Sequence, residues 1–487
     1  MADRNMRRYA LEFIVFISGA VVMVLEIVGT RLIAPYFGTS LPIWTTIISI
    51  VLASLSLGYY YGGRLADRGA TYRKLSFLLL AAGVFVGLTM ILQNQILFAL
   101  GSVALPFILR AALAVFILLA PAAILLGVIS PYAVRLRIDS VSTSGSTVGR
   151  LSALSATGSI LGTFLAGLVL LQFLGSNNLL LVLAITLLIL ALVAYQSRRF
   201  VICILVLMII LVAASFGNKL SLTADLDTAY NRVWVFDKGN VRTLSVGGVS
   251  ESAMYLDGSS ELVFPYTRFY RLARHFASQA SRALMLGGAG YSYPRDFLKN
   301  FTEATIDVVE IDPGMTEIAR NYFNLTDDPR LRIIHEDGRV FINRTENQYD
   351  VFFGDAFGSF VSVPYQLTTR EAAEKIFGLL SDDGVAIINL IGSIEGETGK
   401  FVRAEYLTYQ ELFPQVYLLP VQSSDASRVQ NIMLIALKNN AEPQWVSANA
   451  ELNNYLRMRW TSPIAKDVPV LTDDFAPVDQ YMAALLD

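Results

Sequence analysis

The sequence of 487 residues predicts two parts of different fold class, a multi-pass α-helical membrane part followed by an α/β part with a doubly wound parallel sheet. The first observation is the composition, which is 54% hydrophobic with a mean hydropathy of +0.51 and therefore too apolar for an ordinary soluble protein. The second is that this apolar excess lies before residue 218. The third is that, after it, short apolar runs alternate with helix-length polar segments.

Seven stretches of the first part are long and apolar enough to cross a bilayer, which takes about 20 mostly apolar residues. They are Ala10–Ile33, Ile43–Gly62, Leu75–Leu92, Pro106–Tyr132, Leu151–Leu174, Leu179–Tyr195 and Phe200–Phe216. We therefore predict a transmembrane helical domain over residues 1–217. Two alternatives stay open. The interrupted apolar run Gln95–Tyr132 has room for two short crossings, which would make eight, or one segment re-enters the membrane without crossing it.

The basic residues of the short loops predict the orientation in the membrane. They precede the first span and lie between spans two and three, four and five, and six and seven: Arg4, Arg7, Arg8, Arg64, Arg68, Arg73, Lys74, Arg135, Arg137, Arg150, Arg198 and Arg199. This pattern puts the N-terminus in the cytoplasm, and seven spans would then put the C-terminal part outside. The C-terminal part, however, has residues that indicate a nucleoside cofactor, and such cofactors are cytoplasmic. We therefore expect an inner-membrane protein whose C-terminal part faces the cytoplasm.

Short apolar runs in the C-terminal part predict parallel strands, and each run ends at a glycine or an acid. The four strands are Ala283–Leu286, Ile306–Val309, Leu331–Ile334 and Val351–Phe353. The residues that follow them are Gly287, Gly288 and Gly290, then Glu310, then Asp337 and Gly338, then Asp355. In a doubly wound sheet, ligands bind beyond the carboxyl ends of the strands, so these residues form the candidate site.

The order of these residue types predicts a bound nucleoside. A glycine turn lets backbone N–H groups approach a ligand closely, and Glu310 can accept hydrogen bonds from both hydroxyls of a ribose. Asp337 can accept from the exocyclic amine of a purine, and Asp355 would face the part of the ligand beyond the ribose. The alternative interpretation is that these acids only cap the helices that follow the strands.

Further elements complete the expected α/β part. We predict a small β-meander, a helix before the sheet, a helix after Asp355 with Thr368 or Thr369 as N-cap, a fifth strand, another helix and a closing strand pair. Their ranges are Arg232–Phe236, Val241–Val246 and Ala253–Leu256, then Phe264–Phe276, Pro364–Leu380, Gly384–Leu390, Phe401–Phe413, and Gln415–Pro420 with Ile432–Leu437.

The motifs GGAGYS, VEIDP, EDGR, YDVFFGDAF and PYQLTTREA resemble those of the spermidine synthase family, the polyamine aminopropyltransferases, over about Val233–Leu437. The resemblance implies a Rossmann-like domain of the class I methyltransferase type over residues 266–487, preceded by a linker and β-meander over 218–265. It also implies transfer of an aminopropyl group from decarboxylated S-adenosylmethionine, or of an aminocarboxypropyl group from S-adenosylmethionine, to an amine such as putrescine.

The same resemblance implies roles for individual residues. Glu310 holds the ribose, Asp337 holds the adenine, and Asp355 is the general base. Tyr270 matches the tyrosine that lines the amine pocket, and Glu261 stands where the family has a glutamine. The predicted cofactor-binding set is Gly287, Gly288, Gly290, Glu310, Asp337, Gly338 and Asp355, and the predicted catalytic pair is Asp355 and Tyr270.

Two positions depart from the family pattern. In the family an Asp in the glycine turn contacts the terminal amine of the cofactor, and Gly290 stands there in this chain. A second acid usually follows the fourth strand, where this chain has Gly358. Asp473 and Asp474 would supply the missing charge, and they are predicted to bind substrate unless they belong to a surface turn. A partly buried like-charge contact is worth about 1–3 kcal/mol, so the choice of sulfonium donor stays open.

Composition also limits the other partners. The net charge of −2 and the absence of a basic stripe argue against nucleic acid. One cysteine, Cys203, and two isolated histidines, His275 and His335, argue against a metal site. The expected partners are the lipid bilayer, a small amine and a second copy in a homodimer.

Two alternative functions remain open from the residues. The first is an S-adenosylmethionine-dependent methyltransferase, because the same kind of sheet holds that cofactor. The second is a membrane transporter or sensor with a nucleoside- or polyamine-binding domain, in which Glu26 within the first span would bind a cation or simply pair with an arginine.

Overall fold

A computed structural model describes residues 2–101, 103–138, 144–217, 222–356 and 363–485. The chain divides into two compact units. The helical unit comprises residues 1–221 and 226–232, and the α/β unit comprises residues 222–225 and 233–487.

The helical unit consists of long helices that pack around one apolar core. They are α1 (Ala2–Phe37), α2 (Leu41–Asp67), α3 (Tyr72–Gly101), α4 (Phe107–Arg137), α5 (Ser144–Leu165), α6 (Leu171–Ala194) and α7 (Arg198–Gly217). Among the described residues, seven helices are long and apolar enough to cross a membrane. The interval Gln95–Tyr132 holds the end of α3 and most of one continuous helix, α4.

Small residues bring the helices of this unit close together. A Cβ on Gly158 would overlap the backbone of Phe16, and a Cβ on Gly162 would lie 2.6 Å from the carbonyl oxygen of Ala20 in α1. Between α2 and α4, Gly58 and Gly127 lie against each other in the same way. Close backbone approach of this kind is how helices associate in an apolar medium.

The α/β unit contains two sheets. Strands β1 (Ala224–Asp227), β2 (Arg232–Lys238), β3 (Val241–Val246) and β4 (Val249–Tyr255) form a four-stranded meander in sequential order. The strands of the second sheet are β5 (Arg282–Leu286), β6 (Thr305–Val309), β7 (Leu331–Ile334), β8 (Tyr349–Gly354), β9 (Leu380–Gly392), β10 (Gln415–Pro420) and β11 (Gln430–Leu437). Their order across that sheet is β10-β11-β9-β8-β5-β6-β7.

The order of the second sheet defines where a ligand can bind. Strands β5 to β9 run parallel, whereas β11 is antiparallel to β9 and β10 is antiparallel to β11. The chain starts at β5, builds outward through β6 and β7, and then returns to the other side of β5 with β8. The carboxyl ends of β5, β6 and β8 therefore meet at the point where the strand order reverses.

Side chains alternate between two apolar layers on the faces of this sheet. Leu284 and Leu286 pack into one layer, whereas Ala283 and Met285 pack into the other. The helices of this unit are α8 (Pro265–Phe269), α9 (Ala273–Phe276), α10 (Ser292–Asn300), α11 (Pro313–Tyr322), α12 (Gly338–Arg344), α13 (Arg370–Leu379), α14 (Lys400–Gln410), α15 (Ala450–Leu456) and α16 (Val478–Ala483). Because both faces of β5 are buried, its sequence reads as one apolar run.

The predicted strands β5 to β8 and the closing pair are confirmed to within two residues, and three other expectations are corrected. The meander has an additional strand, β1, and β4 begins at Val249. The segment Phe264–Phe276 is not one helix, because a 3₁₀ turn at Tyr270–Leu272 separates α8 from α9. The segment Pro364–Leu380 is a 3₁₀ turn followed by α13, whose N-cap is Thr369, and Leu380 already belongs to β9.

Candidate active site at the carboxyl ends of the parallel strands

The glycine turn after β5 lies between the ends of the two neighbouring strands. The backbone N–H of Gly287 donates to the carbonyl of Val309 at 2.9 Å, and that of Asp355 donates to the carbonyl of Leu286 at 3.0 Å. Gly287 has φ +91°, and a Cβ there would overlap the carbonyl of Asp355. Only glycine fits this position, because it needs both a left-handed backbone and close contact with the end of β8.

Two residues other than glycine in this turn also have a left-handed backbone. They are Ala289 with φ 44° and Tyr291 with φ 54°. The Tyr291 hydroxyl hydrogen-bonds the Thr316 hydroxyl at 2.7 Å, and Thr316 in turn hydrogen-bonds Nε2 of His335 at 2.9 Å. Such backbone strain persists where the surroundings hold it, and it concentrates at functional sites. Through Thr316, His335 therefore stabilises the conformation of the turn.

Glu310 follows β6 and is bound to the glycine turn. Its Oε2 accepts hydrogen bonds from the backbone N–H of Gly288 at 2.9 Å and of Ala289 at 3.2 Å, and its Oε1 accepts one from Asp312 at 2.9 Å. Burial raises the pKa of Glu310, and these three backbone donors oppose that rise. The carboxylate is thus fixed at the strand end, with lone pairs left over for a ligand.

Asp337 follows β7 and caps α12. Its Oδ1 accepts from the backbone N–H of Arg339 at 2.8 Å and of Val340 at 3.0 Å. Within the described part of the chain, its Oδ2 accepts no hydrogen bond. A Cβ on Gly338, the first residue of α12, would lie 3.4 Å from a methyl group of Leu286, which is ordinary van der Waals contact. One oxygen of Asp337 thus serves the helix, and the other is available to a ligand.

Asp355 follows β8 and is held by uncharged donors. Asn389 of β9 donates its amide to Oδ1 at 3.0 Å, and the hydroxyl of Tyr266 donates to Oδ2 at 3.3 Å. Burial raises the pKa of Asp355 to about 6, and these hydrogen bonds partly oppose the rise. A carboxylate with this environment can accept a proton near neutral pH.

Tyr270 lies beside this carboxylate, but its hydroxyl donates to the carbonyl of Gly354 at 2.9 Å. Burial raises its pKa well above the ordinary value, so it is a neutral hydrogen-bond donor. The tyrosine that donates to Asp355 is Tyr266, one helical turn earlier, and the two rings meet edge to face with centroids 6.3 Å apart. Tyr266 was not predicted as a site residue, although its i, i+4 spacing from Tyr270 is visible in the sequence.

The other residues predicted to bind substrate have different surroundings. Glu261 is largely exposed and pairs with Arg271 at 3.3 Å. Asp473 pairs with Arg339 at 2.7 Å, an interaction that lowers its pKa, and it also accepts from the hydroxyl of Thr369 at 2.7 Å. Asp474 is exposed.

The space around Gly290 is occupied by other residues. The atoms nearest to a Cβ on Gly290 would belong to Ser252 and Phe323. Gly358 lies outside the described residues. No group of three or more histidine, cysteine or acidic residues that could hold a metal ion occurs among the residues the structure describes.

Two more polar residues were not singled out from the sequence. Asn389 lies near the carboxyl end of the fifth predicted strand, and the rule that ligands bind at such ends would have found it. Glu251 lies on β4, within electrostatic range of Asp355 and Glu310. Burial and these two carboxylates raise the pKa of Glu251 to about 8. No sequence motif marks Glu251, because its position depends on how the meander meets the main sheet.

Comparison with known proteins gives concordant matches. The spermine/spermidine synthase domain family matches residues 269–421. A polyamine aminopropyltransferase of Vibrio vulnificus is 29% identical over 272 residues, which cover 51% of this chain and 88% of that protein. One from Clostridium perfringens is 29% identical over 135 residues, covering 27% of this chain and 47% of that protein. The match thus spans about half the length of the Clostridium relative.

A solved structure matches the same part of the chain. It is the crystal structure of a probable spermidine synthase from Corynebacterium glutamicum, with 22% identity, coverage of 49% of this chain and 87% of that one, and a TM-score of 0.43.

The sheet order and the acids at the strand ends define the C-terminal part as a Rossmann-like domain of the class I methyltransferase type. The matched domain and the polyamine aminopropyltransferase relatives support a spermidine synthase-like transferase.

Proposed function

We propose that the α/β unit transfers an aminopropyl group from decarboxylated S-adenosylmethionine, or an aminocarboxypropyl group from S-adenosylmethionine, to a small amine such as putrescine. The observation that carries the proposal is the buried carboxylate of Asp355, which lies beside the glycine turn and accepts from Tyr266 and Asn389. The relatives named polyamine aminopropyltransferase support the same class of reaction.

The adenosine part of the sulfonium donor fits the strand ends. A carboxylate oxygen accepts about two hydrogen bonds, and Oε1 of Glu310 accepts one from the backbone, which leaves capacity for a ribose hydroxyl. Oδ2 of Asp337 is available to the exocyclic amine of adenine. Gly287, Gly288 and Gly290 keep Cβ atoms away from the turn where the donor would bind. The adenosine would thus bind across β6 and β7, with its sulfur toward Asp355.

The proposed reaction needs alignment and one proton acceptor. The acceptor arrives as an ammonium ion, and Asp355 takes a proton from it to expose the nitrogen lone pair. The nitrogen then attacks the carbon next to the sulfonium sulfur, a C–N bond forms, and the C–S bond breaks with its electrons moving to sulfur. The products are a neutral thioether nucleoside and an alkylated amine. Alignment contributes several kcal/mol, and general-base catalysis adds about 10²–10⁴-fold.

The test is to incubate the purified full-length protein with each sulfonium donor and a panel of amines, and to read the products by mass spectrometry. We expect Asp355→Asn to lower turnover by about 10²–10⁴-fold, because the amide cannot accept the proton. Binding of methylthioadenosine, measured by calorimetry, should remain because the adenosine contacts are made by other residues.

The matched control is Asp382→Asn, an exposed residue near the start of β9 and thus at the opposite end of the strands. It should leave turnover unchanged. Equal turnover in the wild type and in Asp355→Asn would refute the role of Asp355. A product one methyl group heavier than the acceptor would favour the methyltransferase alternative.

A further inference from the structure

Strand β4 contains a β-bulge at Glu251. Leu244 of β3 pairs with Ser252, whereas the next residue, Ser245, pairs with Ser250, so that Glu251 is an extra residue without a partner on β3. A bulge bends the strand locally and changes the direction of its side chains, and bulges are frequent next to active sites. Glu251 is therefore positioned by an irregularity of the strand and not by its regular alternation.

The bulged part of β4 packs directly on the glycine turn of the site. The hydroxyls of Ser252 and Ser292 hydrogen-bond each other at 2.8 Å, and Ser292 also donates to the carbonyl of Ala253 at 3.2 Å. A Cβ on Gly290 would lie 2.5 Å from the Ser252 hydroxyl oxygen. An aspartate at position 290 does not fit unless Ser252 moves. The space that the family's aspartate would need at position 290 is thus filled by Ser252 of β4. The residue of β4 next to Ser252 is Glu251, which carries a carboxylate.

One oxygen of the Glu251 carboxylate is unsatisfied among the residues that the structure describes. This oxygen, Oε1, is buried and forms no hydrogen bond. The titratable groups that raise the pKa of Glu251 are Asp355 at the end of β8 and Glu310 at the end of β6. Tyr266 of α8 interacts electrostatically with both Glu251 and Asp355. Within the described part of the chain, none of the three carboxylates is ion-paired with an arginine or a lysine.

Without a neighbouring cation, ionised Glu251 is unfavourable in the free protein, because burial and the charges of Asp355 and Glu310 disfavour it. A ligand group that is both cationic and a hydrogen-bond donor would offset the charge and satisfy the free oxygen. A primary alkylammonium group has both properties, and it is what a decarboxylated sulfonium donor and an amine acceptor each carry. S-adenosylmethionine also carries an ammonium group, but its carboxylate would bring a negative charge into this acidic site and oppose binding.

We infer that Glu251 binds a primary alkylammonium group of a substrate and thereby selects against a donor that bears a carboxylate. In the family an aspartate of the glycine turn has this role, but this chain has Gly290 there. Glu251 would perform the selection from a different position of the fold. This inference rests on the proposed function. It assigns to the β-bulge of β4 a role in substrate specificity, and it favours decarboxylated S-adenosylmethionine over S-adenosylmethionine as the donor.

The experiment compares the full-length wild type with Glu251→Gln, which removes the charge at nearly constant shape, and Glu251→Asp, which keeps it. The control is Glu303→Gln, an exposed residue outside the site. Calorimetry measures binding of methylthioadenosine, which has no amine tail, and of both sulfonium donors. Steady-state kinetics then measure KM for putrescine.

We expect Glu251→Gln to bind methylthioadenosine within twofold of the wild type, so that a general structural defect is excluded. Loss of one charge-assisted hydrogen bond should lower the affinity for the substrate whose ammonium group contacts Glu251 by about 10- to 100-fold. If that group is the donor's amine, the affinity for the decarboxylated donor falls, and the ratio of this affinity to that for S-adenosylmethionine becomes smaller. If it is the acceptor's amine, KM for putrescine rises instead. Glu251→Asp should lie between the wild type and Glu251→Gln.

Unchanged affinity for both the donor and the acceptor in Glu251→Gln would overturn the inference. That outcome differs from a failure of the proposed function, in which the wild type itself would bind no methylthioadenosine or would transfer no aminopropyl group.

Discussion

Three acidic residues at the site have the same chemical group in three different environments. Glu310 accepts three backbone hydrogen bonds, Asp355 accepts one from an amide and one from a phenol, and Oε1 of Glu251 accepts none. Burial raises the pKa of all three, to about 6 for Asp355 and about 8 for Glu251. These differences fit Glu310 for permanent binding, Asp355 for proton transfer and Glu251 for pairing with a cation.

The pKa of Asp355 leads to a prediction about pH. Its folded-state pKa is raised, so the residue is protonated and inactive as a base below about pH 6 and ionised above it. At saturating donor, kcat/KM for the amine should rise about tenfold per pH unit below pH 6 and level off above it. An acceptor ammonium has a pKa near 10 and keeps its charge between pH 5 and 8, so the inflection reports the enzyme.

A second variant identifies the group that titrates. The hydrogen bond from Tyr266 lowers the pKa of Asp355, so Tyr266→Phe should move the inflection to higher pH. An inflection that stays in place in Tyr266→Phe would mean that another group controls the rate.

Part of the site was readable residue by residue. Glu310, Asp337 and Asp355 were found because a strand that ends at an acid is visible in the sequence. Tyr266 and Glu251 were not found, because the hydrogen bond of Tyr266 and the electrostatic interaction of Glu251 with Asp355 join segments that are about 90 and 100 residues apart in the chain. A close approach over that distance in sequence is set by packing of the meander and α8 against the sheet.

At the scale of elements, Asp337 shows that capping and binding are compatible interpretations of one residue. It is the N-cap of α12 through Oδ1, and among the described residues nothing donates a hydrogen bond to its Oδ2. Asp337→Ala should lower the free energy of unfolding by about 0.5–2 kcal/mol, because the cap is lost. Asp337→Ser should keep most of that stability, since serine caps nearly as well, but it should weaken methylthioadenosine binding about 5- to 10-fold through loss of the contact with adenine.

The control for this comparison is Asn449→Ala, which removes the N-cap of α15. It should reduce thermal stability like Asp337→Ala and leave nucleoside affinity unchanged. Thermal unfolding and calorimetry on the detergent-purified protein measure the two effects. Full affinity in Asp337→Ser would mean that Asp337 serves only as a cap.

The elements themselves were predictable to different degrees. Strands β5, β6 and β8 are buried on both faces, so each has an apolar run that stands out from its neighbours. The division of Phe264–Phe276 into α8, a 3₁₀ turn and α9 was not predictable, because its aromatic residues are compatible with one helix. Packing of Phe269 and Tyr270 into the core decides its path.

At the scale of the whole molecule, two observations predict opposite orientations of the protein in the membrane. One is the number of helices, and the other is the location of the proposed donor. Seven crossings with the N-terminus in the cytoplasm would put the α/β unit outside. The sulfonium donors are cytoplasmic, and we predict that the α/β unit faces the cytoplasm. This requires either that the N-terminus lies outside or that one of the seven helices does not cross.

Reporter fusions at the C-terminus test this orientation. A reporter that is active only in the cytoplasm should give signal, and one that is active only outside should give none. A matched pair of fusions after Asp67, in the basic loop that follows α2, then tells which helices cross. Signal only from the external reporter at the C-terminus would contradict the prediction and remove the enzyme from its donor.

The sequence by itself determined the two-part organisation, the parallel strands and the acids at their ends, because apolar length, strand periodicity and strand-end chemistry are local properties. Only the tertiary structure decided which tyrosine donates to Asp355, what surrounds Gly290, and that a bulge brings Glu251 next to Asp355 and Glu310. These facts depend on how segments far apart in the chain pack together, and packing of that kind leaves no local pattern in the sequence.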